Sequence, residues 1–196
     1  MDEVQCGYYR SGSYCSFQQI LKDVKGGNEF LPDAVSMAKS IATGFPMSCF
    51  WVREPYSKLL GPGTHATTFG GTPLACSVAL KVLEIIKRDK LAENVQRIGA
   101  KLATVIHGFA QKYPKVIEDV RGMGFMLGIV LNTSNEGAFA KGEGTPAARF
   151  IQALRKYGVL AIPAGTDIVR LLPPLNLTEA QANEGLEAIE RVAQEL

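Results

Sequence analysis

Leu31-Pro-Asp-Ala-Val-Ser-Met-Ala-Lys-Ser-Ile-Ala-Thr-Gly-Phe-Pro46 is the stretch whose reading decides the fold. Pro32 fixes a turn, and residues 34–38 form a short apolar run between turn signals, the pattern of a buried strand. Residues 40–46 read as a loop punctuated by Gly44 and Pro46. Lys39 therefore stands at the mouth of that strand. An amine beside a buried strand must be paired or give up its proton. A deprotonated amine has a chemical use, because it can form a Schiff base with a carbonyl. For any single lysine the commoner arrangement is a surface position whose stem covers apolar surface. The meaning of Lys39 rests on its company.

The composition sets the frame for that company. The chain has 196 residues, 46% of them hydrophobic and 20% charged, which describes a globular protein able to bury a core. A net charge of +2, without a basic run or an acidic tail, gives no footprint for nucleic acid. Cys6, Cys15, Cys49 and Cys76 are scattered, with no C-x-x-C pair, and His65 and His107 are the only histidines. No metal site is expected from that set. The thiols read as reduced and mostly buried, as in a cytosolic protein. No segment reads as a signal peptide or is apolar for long enough to span a bilayer.

Upstream of the decisive stretch, Asp2 and Glu3 are two carboxylates at what reads as the end of a strand, or else a frayed terminus. Residues 8–17 read as an ordered loop rich in Gly, Ser and Tyr, and 18–25 as a short helix broken at Gly26-Gly27-Asn28. Downstream, Met47-Ser-Cys-Phe-Trp-Val52 reads as a second buried strand. Gly61-Pro-Gly-Thr-His-Ala-Thr-Thr-Phe-Gly-Gly-Thr-Pro73 is a shaped loop with many hydroxyls and free N–H groups. Such a loop in front of a helix suits a phosphate. Thr72 is placed to cap that helix and Pro73 to open it, with Leu74, Val78, Val82, Ile85 and Ile86 on its apolar face.

The texture changes near residue 90, where a domain boundary is expected. Leu91, Val95, Ile98, Leu102, Val105, Ile106 and Phe109 recur at helical spacing up to Pro114. Residues 116–120 and 125–131 read as strands around Arg121-Gly-Met-Gly124, and 132–145 as a polar, mobile loop. Pro146 opens a helix that Gly158 closes. Residues 159–162 and 167–171 read as short strands, and Thr178 with Gln181 forms a capping box for a last helix carrying Leu186, Ile189, Val192 and Leu196. Residues 91–196 thus form a small α/β domain, and residues 1–90 belong to another unit.

A carboxylate pair at a strand end, a lysine near a buried strand and a hydroxyl-rich glycine loop need one explanation. Pyridoxal phosphate needs this set: a lysine for its aldehyde, an acid to keep its ring nitrogen protonated, and oriented donors for its phosphate. An arginine for a substrate carboxylate would complete it, since the planar fork matches that group. Arg170 fits, stiffened from behind by Pro173-Pro174.

At these residues the chain resembles the class III, ornithine/acetylornithine-type, aminotransferases. The resemblance is carried by Asp2-Glu-Val-Gln-Cys-Gly7, by Pro32-Asp33 through Lys39 to Gly44-Phe-Pro46, and by Gly63-Thr-His-Ala-Thr-Thr-Phe-Gly-Gly-Thr-Pro-Leu-Ala-Cys76. Val120-Arg-Gly-Met-Gly-Phe-Met-Leu-Gly-Ile129 and Ala164-Gly165 with Arg170-Leu-Leu-Pro-Pro-Leu175 continue it in order, the last being most similar to the acetylornithine branch, which serves arginine biosynthesis. The resemblance implies an α/β fold: part of a fold type I pyridoxal-phosphate large domain over residues 1–90, then the C-terminal small domain. Lys39 would be the Schiff-base lysine and proton shuttle. Asp2 would hold the pyridinium nitrogen, Val4 would pack on the ring, and Gln5 would reach its hydroxyl. Thr68 would bind the phosphate of a neighbouring subunit's cofactor, which implies a homodimer with shared sites. Arg170 would bind the α-carboxylate. The amino donor would be N-acetylornithine and the acceptor 2-oxoglutarate, in the cytoplasm.

The sequence departs from the family in specific places. The family's first half, with its phosphate cradle, ring-stacking aromatic and most of the parallel sheet, has no counterpart here. Residues 18–30 and 132–145 are longer than usual, Ala42-Thr43 stand where glycines are usual, and Thr72 replaces an asparagine. A second expectation therefore stands beside the enzyme: a C-terminal piece without a competent site of its own. Ornithine, 4-aminobutyrate and succinylornithine stay open as amino donors.

Overall fold

A computed structural model of the chain describes residues 1–134 and 137–196. It divides into two compact units, Met1–Glu93 and Asn94–Leu196. Of the segment expected to be a polar loop, 132–145, residues 135 and 136 lie outside the described residues; the rest is turns and bends.

In the first unit, helix α1 spans Ser16–Leu21, strand β1 Ala34–Met37, strand β2 Cys49–Val52 and helix α2 Pro73–Arg88. Helix α1 starts earlier than its apolar pattern suggests, because Gln18 accepts from the Cys15 N–H at 2.9 Å and closes a capping box. Gly26, at φ +77°, supplies the left-handed turn after it. Strands β1 and β2 pair antiparallel, Ala34 with Val52 through Met37 with Cys49.

Several expectations change here. Strand β1 alternates rather than being buried throughout: Val35 and Met37 are buried while Ala34 and Ser36 are half-buried. Strand β2, expected to be buried, is open on both faces, with Phe50 58% and Trp51 41% exposed on opposite sides. Side chains alternate across a strand, so this exposure leaves neither face of β2 covered. On α2 the buried positions are Ala75, Ala79 and Ile86, and Leu74 is 63% exposed. Thr72 occupies the N-cap, yet its hydroxyl makes no capping bond. Of the thiols only Cys15 is buried; Cys6 and Cys76 are half-buried and Cys49 is exposed.

The second unit takes in most of helix α3 (Leu91–Lys112), then β3 (Ile117–Met123), β4 (Met126–Leu131), α4 (Pro146–Lys156), β5 (Ile162–Pro163), β6 (Ile168–Leu171) and α5 (Glu179–Glu195). Its sheet is antiparallel in the order β3-β4-β6-β5. One face of β4 (Leu127, Ile129, Leu131) joins Val95, Ile98, Leu102 and Ile106 of α3, Phe150 and Leu154 of α4, and Leu186, Ile189 and Val192 of α5 in one buried cluster. Each such side chain contributes about 1.5–3 kcal/mol by leaving water. The helical and alternating periods of the sequence are therefore this unit's core. Thr178 and Gln181 form the expected capping box.

Two details move. The expected strand over residues 159–162 reduces to Ile162–Pro163, and Leu196 lies beyond α5, 41% exposed. Arg121, Gly122 and Met123 belong to β3 rather than to a connection, so the strand carries the arginine on the sheet itself. Gly99 permits the turn after β3 to approach α3: a Cβ there would sit 2.5 Å from the carbonyl oxygen of Gly124.

Candidate functional site

Backbone pairing places Asp2. It bridges Ser36 in parallel orientation. The Glu3 N–H donates to the Ser36 carbonyl at 2.9 Å, and the Ser36 N–H donates to the Met1 carbonyl at 3.1 Å. The segment around residue 2 thus lies along β1, and β1 runs directly into Lys39. The Val4 N–H donates to Asp2 Oδ1 at 2.9 Å, a local turn that orients the carboxylate. Val4 and Gln5 are half-buried beside it.

Lys39 itself is exposed, not trapped at the buried mouth of a strand. The chain turns sharply there, in a single 3₁₀ turn over Lys39–Ile41, and Lys39 is held at φ +49°. Thr43 is also left-handed, at φ +39°. A non-glycine residue in that region stores strain, and such strain gathers at functional turns. Lys39, Ser40, Thr43, Gly44, Phe45, Pro46 and Met47 line an open cavity of about 580 Å³. Among the described residues no group of side chains is arranged to hold a metal ion.

Thr68 is exposed in the loop between Leu60 and Pro73. Nearby, the Thr64 hydroxyl is spent on the loop, donating to the Gly61 carbonyl at 2.7 Å. Arg170 belongs to the second unit, half-buried on β6, where Nη2 donates to the Pro163 carbonyl at 3.3 Å. The structure therefore sets Asp2 alongside the strand that leads to Lys39 within one unit, and places Arg170 on the sheet of the other.

The sequence marks Glu3 only as half of a carboxylate pair and gives it no role of its own; in the structure it is a closely partnered acid of the first unit. It is only 1% exposed. Its Oε1 accepts from Ser16 Oγ at 2.7 Å and from the Phe17 N–H at 3.3 Å, and Oε2 accepts from the Ser16 N–H at 2.9 Å. The carboxylate thereby satisfies donors at the start of α1 and ties the Asp2 segment to that helix. Tyr8 and Tyr9 follow with φ of +54° and +68°. Burial pushes the Tyr8 hydroxyl up to about 12 and lowers the Arg10 guanidinium. A polar sequence of this kind reads as a loop; only the structure shows that it is packed.

The available donors suit pyridoxal phosphate. An amine at a strained turn, an acid bridged to the adjoining strand and an open cavity with the hydroxyl residues Ser40 and Thr43 in its lining match an aldehyde, a cationic ring nitrogen and an anionic group.

Comparison with known proteins gives the class. The family model "Aminotransferase class-III" matches residues 1–193, and the chain belongs to that family. It is 35% identical over 188 residues to the acetylornithine aminotransferase of Mesorhizobium japonicum, covering 96% of this chain and 42% of that protein. It is 36% identical to the acetylornithine aminotransferase of Thermosynechococcus vestitus, covering 97% of this chain and 42% of that one. Among solved structures, acetylornithine aminotransferase from Elizabethkingia anophelis aligns with a TM-score of 0.82 at 29% identity, covering 99% of this chain and 47% of that chain. Ornithine aminotransferase from Toxoplasma gondii aligns with a TM-score of 0.83 at 27% identity, covering 99% and 42%. The fold is thus part of a pyridoxal-phosphate aminotransferase fold. The chain spans less than half the length of these relatives.

Proposed function

We propose that this chain carries the cofactor lysine, the ring-nitrogen acid and the carboxylate-binding arginine of an acetylornithine-type aminotransferase, passing an amino group from N-acetylornithine to 2-oxoglutarate in arginine biosynthesis. The observation that carries this reading is the bridge between Asp2 and Ser36, which sets the acid alongside the strand that leads to Lys39. Lys39 would hold pyridoxal phosphate covalently and then move the proton at the substrate's Cα. Asp2 would keep the ring nitrogen protonated, with Val4 against the ring and Gln5 at its hydroxyl. When bound, the cofactor supplies the electron sink. Arg170 would hold the substrate's α-carboxylate through its planar fork. Thr68, exposed in its loop, would bind the phosphate of a second subunit's cofactor in a cytoplasmic homodimer. Residues 1–90 and 91–196 would serve as the large-domain part and the small domain.

A second reading is favoured by the open faces of β2: the chain holds the cofactor but does not turn over by itself. One experiment tests the first and separates the two. The chain is mixed with pyridoxal phosphate, reduced with borohydride and digested. The reading expects the cofactor's mass on the peptide bearing Lys39, lost in Lys39→Ala, and the appearance of glutamate from 2-oxoglutarate and N-acetylornithine. Labelling at Lys39 without glutamate selects the second reading, and no labelling at Lys39 removes both. Ornithine, 4-aminobutyrate and succinylornithine, run in parallel, identify the donor.

A further inference from the structure

We infer that the first unit carries a binding site for a free amino acid with an apolar side chain, in a cavity formed by Tyr9 and the turn from α2 to α3. The inference stands independently of the roles given to Lys39, Asp2 and Arg170. The cavity holds about 400 Å³ and is lined by Tyr9, Leu83, Ile86, Lys87, Ala92 and Glu93, so it shares no residue with the cavity at Lys39. Small-molecule sites have this size and combine apolar walls with a few polar groups. Leu83, Ile86 and Lys87 stand three and four residues apart, so one face of α2 supplies them. Ala92 and Glu93 come from the first turn of α3.

The walls are preformed and strained. Tyr8 and Tyr9 are consecutive non-glycine residues in the left-handed region. The loop's own hydrogen bonds hold them there: the Tyr8 N–H donates to the Tyr14 carbonyl at 2.7 Å, the Tyr9 N–H to the Ser13 carbonyl at 3.0 Å, and the Gly12 N–H to the Tyr9 carbonyl at 3.0 Å. The Tyr8 hydroxyl donates to the Ala79 carbonyl at 3.3 Å and fastens the loop to α2 one turn ahead of Leu83. The Tyr9 ring is set edge-on to Tyr8 and Tyr14, with centroids 6.2 and 5.8 Å away. In the turn between Lys87 and Ala92, Lys90 holds φ +51°. Three strained residues thus lie in the segments that form one cavity, and such strain gathers at ligand sites.

The polar groups identify the ligand. Among the described residues the Lys87 ammonium, the Glu93 carboxylate and the Tyr9 hydroxyl make no hydrogen bond or ion pair, and Lys87 and Glu93 do not pair with each other. Neighbouring charges on α2 are spent, Arg88 on Asp89 at 2.7 Å and Lys81 on Glu84 at 2.9 Å. A lone exposed charge on a helix is common. An unpaired cation and an unpaired anion lining one cavity, with Leu83, Ile86 and Ala92 for its apolar wall, are complementary to a zwitterion. Lys87 and Tyr9 would take its carboxylate, Glu93 its ammonium, and the wall its side chain. A simple carboxylate or a simple amine answers only one of the two charges.

Saturation-transfer NMR titrations of the full chain at low salt test this with leucine, with 4-methylpentanoate, which lacks the ammonium, and with 3-methylbutylamine, which lacks the carboxylate. Wild type should bind leucine about fivefold more tightly than either analogue, the upper worth of one exposed ion pair. Lys87→Gln should erase the preference over 3-methylbutylamine and keep the one over 4-methylpentanoate; Glu93→Gln should do the reverse. Both side chains are exposed, so the fold should persist, as circular dichroism would verify. Lys39→Ala and Arg170→Gln should leave leucine binding unchanged, since neither residue lines the cavity. A preference that survives the variant meant to erase it overturns the inference. So does leucine binding that is lost in Lys39→Ala or Arg170→Gln, or a wild-type chain that does not distinguish leucine from its two analogues.

Discussion

A carboxylate withdrawn from water is costly unless its oxygens are filled with donors, and Glu3 shows that condition met by three donors from Ser16 and Phe17. Exchange for the isosteric amide replaces an acceptor oxygen with an NH2 group that faces those donors. Glu3→Gln should therefore destabilise the first unit by about 1–3 kcal/mol, read as a lower urea midpoint with an unchanged slope. Asp2 invites the opposite result. It is exposed, and its carboxylate accepts from the Val4 N–H in a local turn, so Asp2→Asn should leave the midpoint within about 0.5 kcal/mol of wild type. The thiols follow the same logic of burial. Burial pushes the Cys15 thiol up to about 11 and raises Cys6 as well, whereas Cys49 is exposed. Since the thiolate is the reacting species, Cys49 should be alkylated first near neutral pH, and Cys15 only after unfolding. Peptide mapping after timed iodoacetamide treatment checks that order. The composition suggested four similar thiols; what distinguishes them is tertiary, and no local pattern around Cys49 announces that β2 is open.

At the scale of elements, the second unit was legible because each of its helices carries a period that only one face can satisfy. Val95, Ile98, Leu102 and Ile106 are all buried, as their spacing requires. The first unit was less legible. Leu74 and Leu80 are exposed on α2 although the helix is rich in apolar residues, so its pattern does not reveal which stripe this chain buries. The junction between α2 and α3 shows in the sequence as a change of texture near residue 90, but its backbone conformation does not. Lys90 adopts φ +51° just after the Asp89 cap, a place where glycine is usual and the sequence offers no signal. Lys90→Gly should therefore stabilise the chain by about 0.5–1 kcal/mol, measured by thermal unfolding. Helices α3 and α5 are also laced together by charge. Lys112 holds the Glu190 carboxyl below its usual value through a 2.6 Å hydrogen bond, and Lys101 with Arg97 does the same for Glu179. A carboxyl whose folded value is depressed stabilises the fold above its unfolded value, about 4.3, and loses that contribution as pH falls through the folded value. The second unit's melting temperature should accordingly stay level from about pH 6 to 8 and fall below about pH 4. Replacing both Glu179 and Glu190 by Gln should flatten that acid limb.

For the whole molecule the two units differ in how much apolar surface they enclose. The second has a continuous core drawn from three helices and a four-stranded sheet. The first has a two-stranded sheet with an open partner strand, and Phe50, Trp51, Leu59, Phe69, Leu74 and Leu80 are all more than 40% exposed. A two-stranded sheet is marginal in water, and stability within a chain follows the local density of buried apolar contacts. Protection from hydrogen exchange should therefore split along the boundary between Glu93 and Asn94. Amides of β4, β6 and the middle of α3 should exchange only through global opening of the second unit. Amides of β2 should exchange orders of magnitude faster, and the β1 amide at Ser36, bonded to the Met1 carbonyl, should fall between. The single tryptophan, Trp51, gives an independent reading, because at 41% exposure its emission should be quenched by iodide in the native chain. Uniform protection across both units, or a Trp51 shielded from iodide, would mean that the apolar faces of the first unit are covered in solution. The exchange map would then show where, since the amides newly protected on β2 and α2 would outline the covering surface.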